Sequence, residues 1–271
     1  MIERADITGW VLAGGRGSRM GGVDKGLQLH AGVPLALHAM RRLAPQVGRV
    51  AINANRHAEV YASLGVPVHA DSLADAPGPL GGFLAGLEHC ATPYLMTVPC
   101  DTPNFPLDLV ARLAAELIAR DVPLAMAATR SAAGVQPQPV FCLMARDLRQ
   151  SLLDFTAAGQ RKPQRWAELN GCAWVVFDDA SAFANANTRE ELQALQQMRS
   201  LNALGFQTIL LCKPMSAISA RAKSEGLDLI EIRFRNAFHI PSLLQLFRLA
   251  KEKNPVAMFC HGSHDALISA L

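Results

Sequence analysis

An α/β fold, a mostly parallel sheet with helices on both faces in a Rossmann-like arrangement, is the class this sequence predicts, and three observations predict it. Short apolar runs alternate with longer helical patterns from the start, the rhythm of a parallel sheet wrapped by helices. The first apolar run feeds straight into a glycine-rich, cationic loop. The same rhythm restarts late in the chain, which adds a small second α/β segment.

Taken in order, strands are expected at 7–12, 50–53, 66–69, 94–98, 124–128, 140–143 and 173–177. Helical patterns fall between them at 34–44, 80–90, 106–120, 147–158 and 188–199. The last opens with Thr188-x-x-Glu191, the signature of a capping box. Strands then recur at 208–211, 228–232 and 256–259, with helices at 215–225 and 240–252. The join is expected near 197–204, giving domains at 1–200 and 201–271 with no Gly/Ser or Pro linker between them. Charge divides the same way: residues 1–197 carry 17 Lys/Arg against 18 Asp/Glu, and residues 198–271 carry 9 against 5.

Composition excludes several classes. Hydrophobic residues make up 50%, yet no uncharged apolar run approaches the roughly 18 residues of a membrane-spanning helix, so no membrane contact is expected. The N-terminus, MIERADITGW, lacks the basic start and apolar stretch of a secretory signal, which predicts a cytoplasmic protein. A net charge of +3 gives no argument for nucleic acid. The six cysteines are scattered without close pairs, matching neither a disulfide framework nor a four-ligand zinc site, and read as core thiols. His261-x-x-His264 stands without further ligands nearby in the sequence, and the remaining histidines show no ligand spacing.

In an open parallel sheet, ligands sit beyond the carboxyl ends of the strands, so chemistry is sought there. The first strand is followed by Ala13-Gly14-Gly15-Arg16-Gly17-Ser18-Arg19-Met20-Gly21-Gly22-Val23-Asp24-Lys25. Five glycines from Gly14 to Gly22 let backbone amides approach phosphate oxygens, and Arg16, Arg19 and Lys25 add positive charge. An ordinary strand-to-helix loop commonly has one glycine and rarely this combination. Two other phosphate motifs are excluded. Lys25 lies between Asp24 and Gly26, so the Gly-Lys-Ser/Thr of a P-loop is absent. Met20 stands where a dinucleotide loop needs Gly or Ala, and the next strand ends in Asn53 where Asp or Glu is required.

Residues 12–27 resemble the signature loop of the molybdenum cofactor guanylyltransferases, within the wider sugar-nucleotidyltransferase-like fold. Three later segments agree in order and spacing: Asp71 with Gly78-Pro79-Leu80-Gly81-Gly82, then Val98-Pro99-Cys100-Asp101-Thr102-Pro103, then Phe183-x-Asn185-x-Asn187-Thr188. Coverage is about residues 5–197. The resemblance implies a nucleotidyltransferase architecture and transfer of GMP from GTP to the phosphate of molybdenum-molybdopterin, with release of pyrophosphate. It implies nucleotide contacts at Leu12, Ala13, Gly14, Gly15, Lys25, Asn53, Asp71 and Asp101. It places Arg19, Gly22, Gly82, Asn185 and Asn187 on the pterin side, and gives Lys25, Arg19 and Asp101 the catalytic roles. Partners so implied are GTP, molybdenum-molybdopterin, proteins that deliver it, chaperones and molybdoenzymes. A cytidylyltransferase of the same cofactor, a sugar-phosphate nucleotidyltransferase and a non-catalytic GTP-binding regulator are the alternatives.

The residues suit these tasks. Asp101 follows a strand, and one or two carboxylates plus substrate phosphates is the usual way Mg²⁺ is held, so it is the expected metal ligand; an Asp capping a turn before Pro103 is the competing reading. Asn53 offers donor and acceptor, Asp71 accepts only, which suits guanine N–H groups or sugar hydroxyls. A phosphate monoester is largely ionised near neutral pH, its second pKa being about 6, so no general base is needed. Gln136-Pro137-Gln138-Pro139 resembles the family's Gln-Pro segment entering a late strand and also fits a rigid loop. Residues 202–271 lie outside this pattern; Gly205-Phe206-Gln207-Thr208, Glu225-Gly226-Leu227 and Cys260-His261-Gly262-Ser263 resemble the opening of a retaining two-domain glycosyltransferase, without the length for its second domain.

Overall fold

Alternation along the first strand decides the layering. In β1 (Ile7–Leu12), Ile7 and Val11 enter one buried cluster while Trp10 enters the other, on the opposite face of the sheet. The computed structural model describes residues 1–14, 24–30, 32–72, 78–131, 134–185, 189–212, 214, 216–232 and 240–258. By its internal contacts the chain forms two compact units, Met1–Ala186 and Asn187–Leu271.

The first unit continues through a short antiparallel pair, β2 (Leu29–His30) and β3 (Val33–Pro34), into α1 (Leu35–Leu43). Then come β4 (Arg49–Asn53), α2 (Ala58–Ala62), β5 (Val68–His69), α3 (Pro79–His89), β6 (Tyr94–Pro99) and α4 (Leu109–Ala119). The unit ends with β7 (Leu124–Ser131), β8 (Gly134–Ala145), α5 (Arg149–Ala157), α6 (Pro163–Leu169) and β9 (Ala173–Phe177). Seven strands form one sheet in the order β5-β4-β1-β6-β8-β7-β9. All run parallel except β8, which is antiparallel to both β6 and β7.

Helices cover both faces, as the sequence predicts. On one side α1 and α4 supply Ala36, Ala39, Leu43, Leu109, Leu113 and Leu117 to the core; on the other, Leu80, Phe83, Leu84 and Leu87 of α3 pack with Leu152 of α5 and Trp166 of α6. The apolar spacing of α1, with Leu35, Ala36, Ala39 and Leu43 buried, is a single helical stripe. Gly9 of β1 lets that stripe close on the sheet, since a Cβ there would lie 2.7 Å from Leu43 Cδ2 and 2.9 Å from Val47 Cγ2.

Several elements differ from expectation. The strand expected at 140–143 reaches back to Gly134 and folds against β7, with its register shifting between Met126 and Ala128. Pro137 pairs opposite Ala128 at that irregularity, and Pro139 follows it; prolines, which cannot donate to a ladder, are tolerated at such breaks. The Gln-Pro segment is thus part of a strand. Helices α2 and α6 go unpredicted because five and seven residues are too few to display a helical period. Residues 256–258, expected to open a strand, carry none, and Phe259 lies outside the described residues.

The topology locates the site. From β1 the chain winds outward through β4 to β5 on one side and to β6 on the other, so β1 marks the point where the winding reverses. Leu12 stands opposite Asn53 on one neighbour and Pro99 on the other, which brings three strand ends to one level.

The second unit holds α7 (Arg189–Ala203), β10 (Leu210–Cys212), α8 (Ala217–Ser224), β11 (Leu229–Glu231) and α9 (Ile240–Lys253). β10 and β11 pair in parallel, and Ala194 and Leu195 of α7 bury against Cys212, Ile218 and Ala222. Helix α7 therefore belongs to this unit, ahead of the expected join. Thr188, the expected cap, lies outside the described residues, as do Cys260, His261, Gly262, Ser263 and His264. The five described cysteines are unbridged thiols, and no described helix is long and apolar enough to cross a membrane.

Candidate active site

At the end of β4, Asn53 is 2% exposed, and burial obliges its amide to find partners. Its Nδ2 donates to the carbonyl of His69 (3.2 Å) and to Asp71 Oδ1 (2.9 Å). Two residues on, Asn55 Nδ2 donates to Asp71 Oδ2 (2.7 Å) and to the carbonyl of Gly14 (3.0 Å), while Asn55 Oδ1 accepts from the Asp71 amide (2.7 Å). Asp71 is thereby gripped by two asparagines at the edge where β1, β4 and β5 end. Each of its oxygens accepts one hydrogen bond, and a carboxylate has about four lone-pair sites, so both can accept more. Asn53 is expected to offer both a donor and an acceptor; in the fold its Nδ2 is bonded to His69 and Asp71, which orients Asp71. Asn55 was missed. A polar residue just past a strand end is its only sequence signal.

The first strand's own end is fixed by its neighbours. Ala13 N donates to Asn53 O (2.8 Å) and Cys100 N to Leu12 O (3.0 Å), so Leu12, Ala13 and Gly14 are held between the other two strand ends. A Cβ on Gly14 would lie 2.9 Å from Asn55 Nδ2 and 3.0 Å from Asn53 Oδ1. Gly82, in the first turns of α3, faces the same group: a Cβ there would collide with Leu12 and lie 2.5 Å from Asn53 Oδ1. Its carbonyl accepts from Trp10 Nε1 (2.9 Å), which fastens α3 to β1. Gly82 is thus required to be small by packing at the site's floor.

Lys25 and Asp101, 76 positions apart, meet at 3.3 Å between Nζ and Oδ2. The lysine side chain is 45% exposed and the aspartate 18%. Asp101 lies in the turn that follows β6 and directs its side chain to Lys25. Beside it, Thr102 Oγ1 donates to Asn185 Oδ1 (3.0 Å), which draws Asn185 to the same strand end. Cys100 is buried between these elements, and burial, then the neighbouring Asp101, raises its thiol well above the ordinary range. It stays a neutral core group.

The structure therefore gathers Leu12, Ala13, Gly14, Lys25, Asn53, Asp71, Gly82, Asp101 and Asn185 at one edge of one sheet. Gly15, Arg16, Arg19, Gly22 and Asn187 lie outside the described residues. No three metal-ligating side chains converge among the described residues. Asp71 is tied to amides, whereas Asp101 meets a lysine and leaves its Oδ1 without a described partner. One carboxylate at a strand end, next to a cation that can shift to phosphate, fits a hard divalent ion that takes its remaining ligands from phosphates and water. The arrangement can bind a sugar through Asp71, phosphates through Lys25 and an ion through Asp101.

Residues 9–173 match the family described as the MobA-like NTP transferase domain. Over 196 residues the chain is 59% identical to the molybdenum cofactor guanylyltransferase of Bordetella pertussis, covering 72% of this chain and 100% of that protein. It is 57% identical over 206 residues to the protein of the same name from Acidovorax sp., covering 72% and 98%. Among solved structures, the molybdopterin-guanine dinucleotide biosynthesis protein A of Archaeoglobus fulgidus is similar in fold, with TM-score 0.56 and 20% identity over 71% of this chain and 98% of that one. The 4-diphosphocytidyl-2C-methyl-D-erythritol synthase of Anaerococcus prevotii shares the fold at TM-score 0.56 and 11% identity, over 72% and 96%.

Proposed function

The chain belongs to the molybdenum cofactor guanylyltransferases, and on that premise we propose that residues 1–200 move GMP from GTP onto the phosphate of molybdenum-molybdopterin, forming the guanine dinucleotide cofactor. The observation that carries this reading for the site is the meeting of Lys25 and Asp101 on the same sheet edge that holds the amide-gripped Asp71.

The residues divide the work. Asp71 accepts from ribose hydroxyls or guanine N–H groups, and its orientation is fixed by Asn53 and Asn55. Lys25 meets the phosphates of GTP. An oxygen of the pterin phosphate attacks the α-phosphorus in line, the bond to the β-phosphate oxygen breaks, and pyrophosphate departs. The attacking oxygen is already ionised, so alignment and charge neutralisation replace general-base catalysis. Mg²⁺, held through Asp101, supplies neutralisation of phosphate charge. Arg19, Gly22, Gly82, Asn185 and Asn187 form the pterin side, a reading supported for Asn185 by the hydrogen bond that ties it to Thr102 beside Asp101. The work is cytoplasmic, with molybdopterin-delivering proteins, chaperones and molybdoenzymes as partners. The deciding experiment is formation of the dinucleotide and pyrophosphate from Mg-GTP and molybdenum-molybdopterin.

Residues 201–271 are a passenger in this chemistry. Relatives of about 200 residues are matched over 98–100% of their length by only 72% of this chain. A chain shortened to end at Ser200 is expected to transfer GMP at an unchanged rate. Its helix α7 loses the cover of Cys212, Ile218 and Ala222 over Ala194 and Leu195, so its amides become more open to hydrogen exchange. Lost GMP transfer in a still-folded shortened chain would contradict this.

A further inference from the structure

We propose that Asp24 and Tyr61 form a buried strut whose function is to position Lys25, so that a tyrosine on the outer helix α2 sets the rate of phosphoryl chemistry without touching a substrate. Asp24 directly precedes the lysine and its side chain is 7% exposed. Its Oδ1 accepts from the Gly26 amide (3.1 Å), capping the single turn Lys25–Leu27 that carries Lys25. The same oxygen accepts from the Tyr61 hydroxyl at 2.5 Å, and Oδ2 lies 3.1 Å from His57 Nδ1.

Tyr61 is fully buried, 36 positions beyond Lys25 and on another element. Its hydroxyl lies under Gly26, where a Cβ would collide with it. Burial, followed by the hydrogen bond to Asp24, raises its phenol far above the ordinary value, so the hydroxyl remains a donor at any working pH. The strut thus links helix α2 to both ends of the turn: it holds the side chain before Lys25 and fills the space beneath the glycine after it. A buried carboxylate is costly unless every oxygen is partnered, and here three donors from two elements converge on it. Stability alone does not require that investment next to the one described lysine at the strand edge. Lysine has a long, flexible stem, so its ammonium is only as well placed as the turn that bears it.

This inference rests on the guanylyl-transfer reading, and the test separates the two. Steady-state transfer by the full chain is measured with Mg-GTP and molybdenum-molybdopterin for the wild type, Tyr61→Phe, Lys25→Ala and the double variant. Tyr61→Phe keeps the ring and loses one hydrogen bond to a charged group, so kcat/KM is expected to fall about 10-fold. In the Lys25→Ala background the same change is expected to have no further effect, because the residue acts through the lysine. Asp24→Asn, which keeps an acceptor for Gly26 and Tyr61, is expected to retain more activity than Asp24→Ala. An equal loss from Tyr61→Phe in both backgrounds, or no loss in either, would overturn the strut. A wild type that releases no pyrophosphate would overturn the underlying reading instead.

Discussion

Replacing Lys25 by alanine is expected to lower guanylyl transfer by about 10²- to 10³-fold, the usual cost of removing one preorganised charged donor from a site of developing negative charge. The geometry explains why the loss falls on turnover. Lys25 is half exposed and its described partner is Asp101 at 3.3 Å, an ion pair of a kind worth roughly 0–1 kcal/mol to stability. The melting temperature should therefore shift by no more than about 4 °C. Transfer kinetics together with a thermal melt check both halves. Near-normal turnover, or a variant that fails by unfolding, would contradict the assignment.

Replacing Asp101 by alanine is expected to abolish transfer, with a loss on the order of 10³-fold or more, since metal neutralisation of phosphate charge contributes several kcal/mol to such transition states. Among the charged groups at the edge, Asp24 is capped by three donors and Asp71 by two asparagines. Asp101, paired with Lys25 alone among the described residues, is the carboxylate proposed to hold the ion. Titrating Mg²⁺ against activity distinguishes its role: the wild type should saturate, and Asp101→Ala should stay inactive at any magnesium concentration. Circular dichroism should be unchanged, because no described turn amide depends on this side chain. A variant that retains most of its turnover would move the metal ligand elsewhere.

Ends of strands were legible near Leu12, Asn53 and Pro99, because an apolar run that gives way to glycines or polar residues marks where the chain leaves the core. Direction was not. Residues 140–143 read as one more strand, and nothing in their periodicity reports that β8 turns back against β7 and β6. Side-chain commitment was equally hidden: Asn53 offered a donor and an acceptor, and only the fold shows its N–H groups bonded to His69 and Asp71. Tyr61 and Asn55 escaped for a related reason. Each works through a partner 16 or more positions away, Asp71 for Asn55 and Asp24 for Tyr61, and local pattern carries no trace of such pairings. The join between units was read from the motif's end, whereas α7 settles by what it buries, namely Ala194 and Leu195 against Ile218 and Ala222.

The most direct test of the central claim is a nucleotide competition in one assay. Purified full-length chain is mixed with molybdenum-molybdopterin, Mg²⁺ and GTP, CTP or ATP, and both pyrophosphate and the pterin dinucleotide are quantified. The account predicts that GTP yields one pyrophosphate per molybdopterin guanine dinucleotide and that CTP and ATP yield little of either product. Equal use of the three nucleotides, or no pyrophosphate above the protein-free rate with GTP, would contradict it.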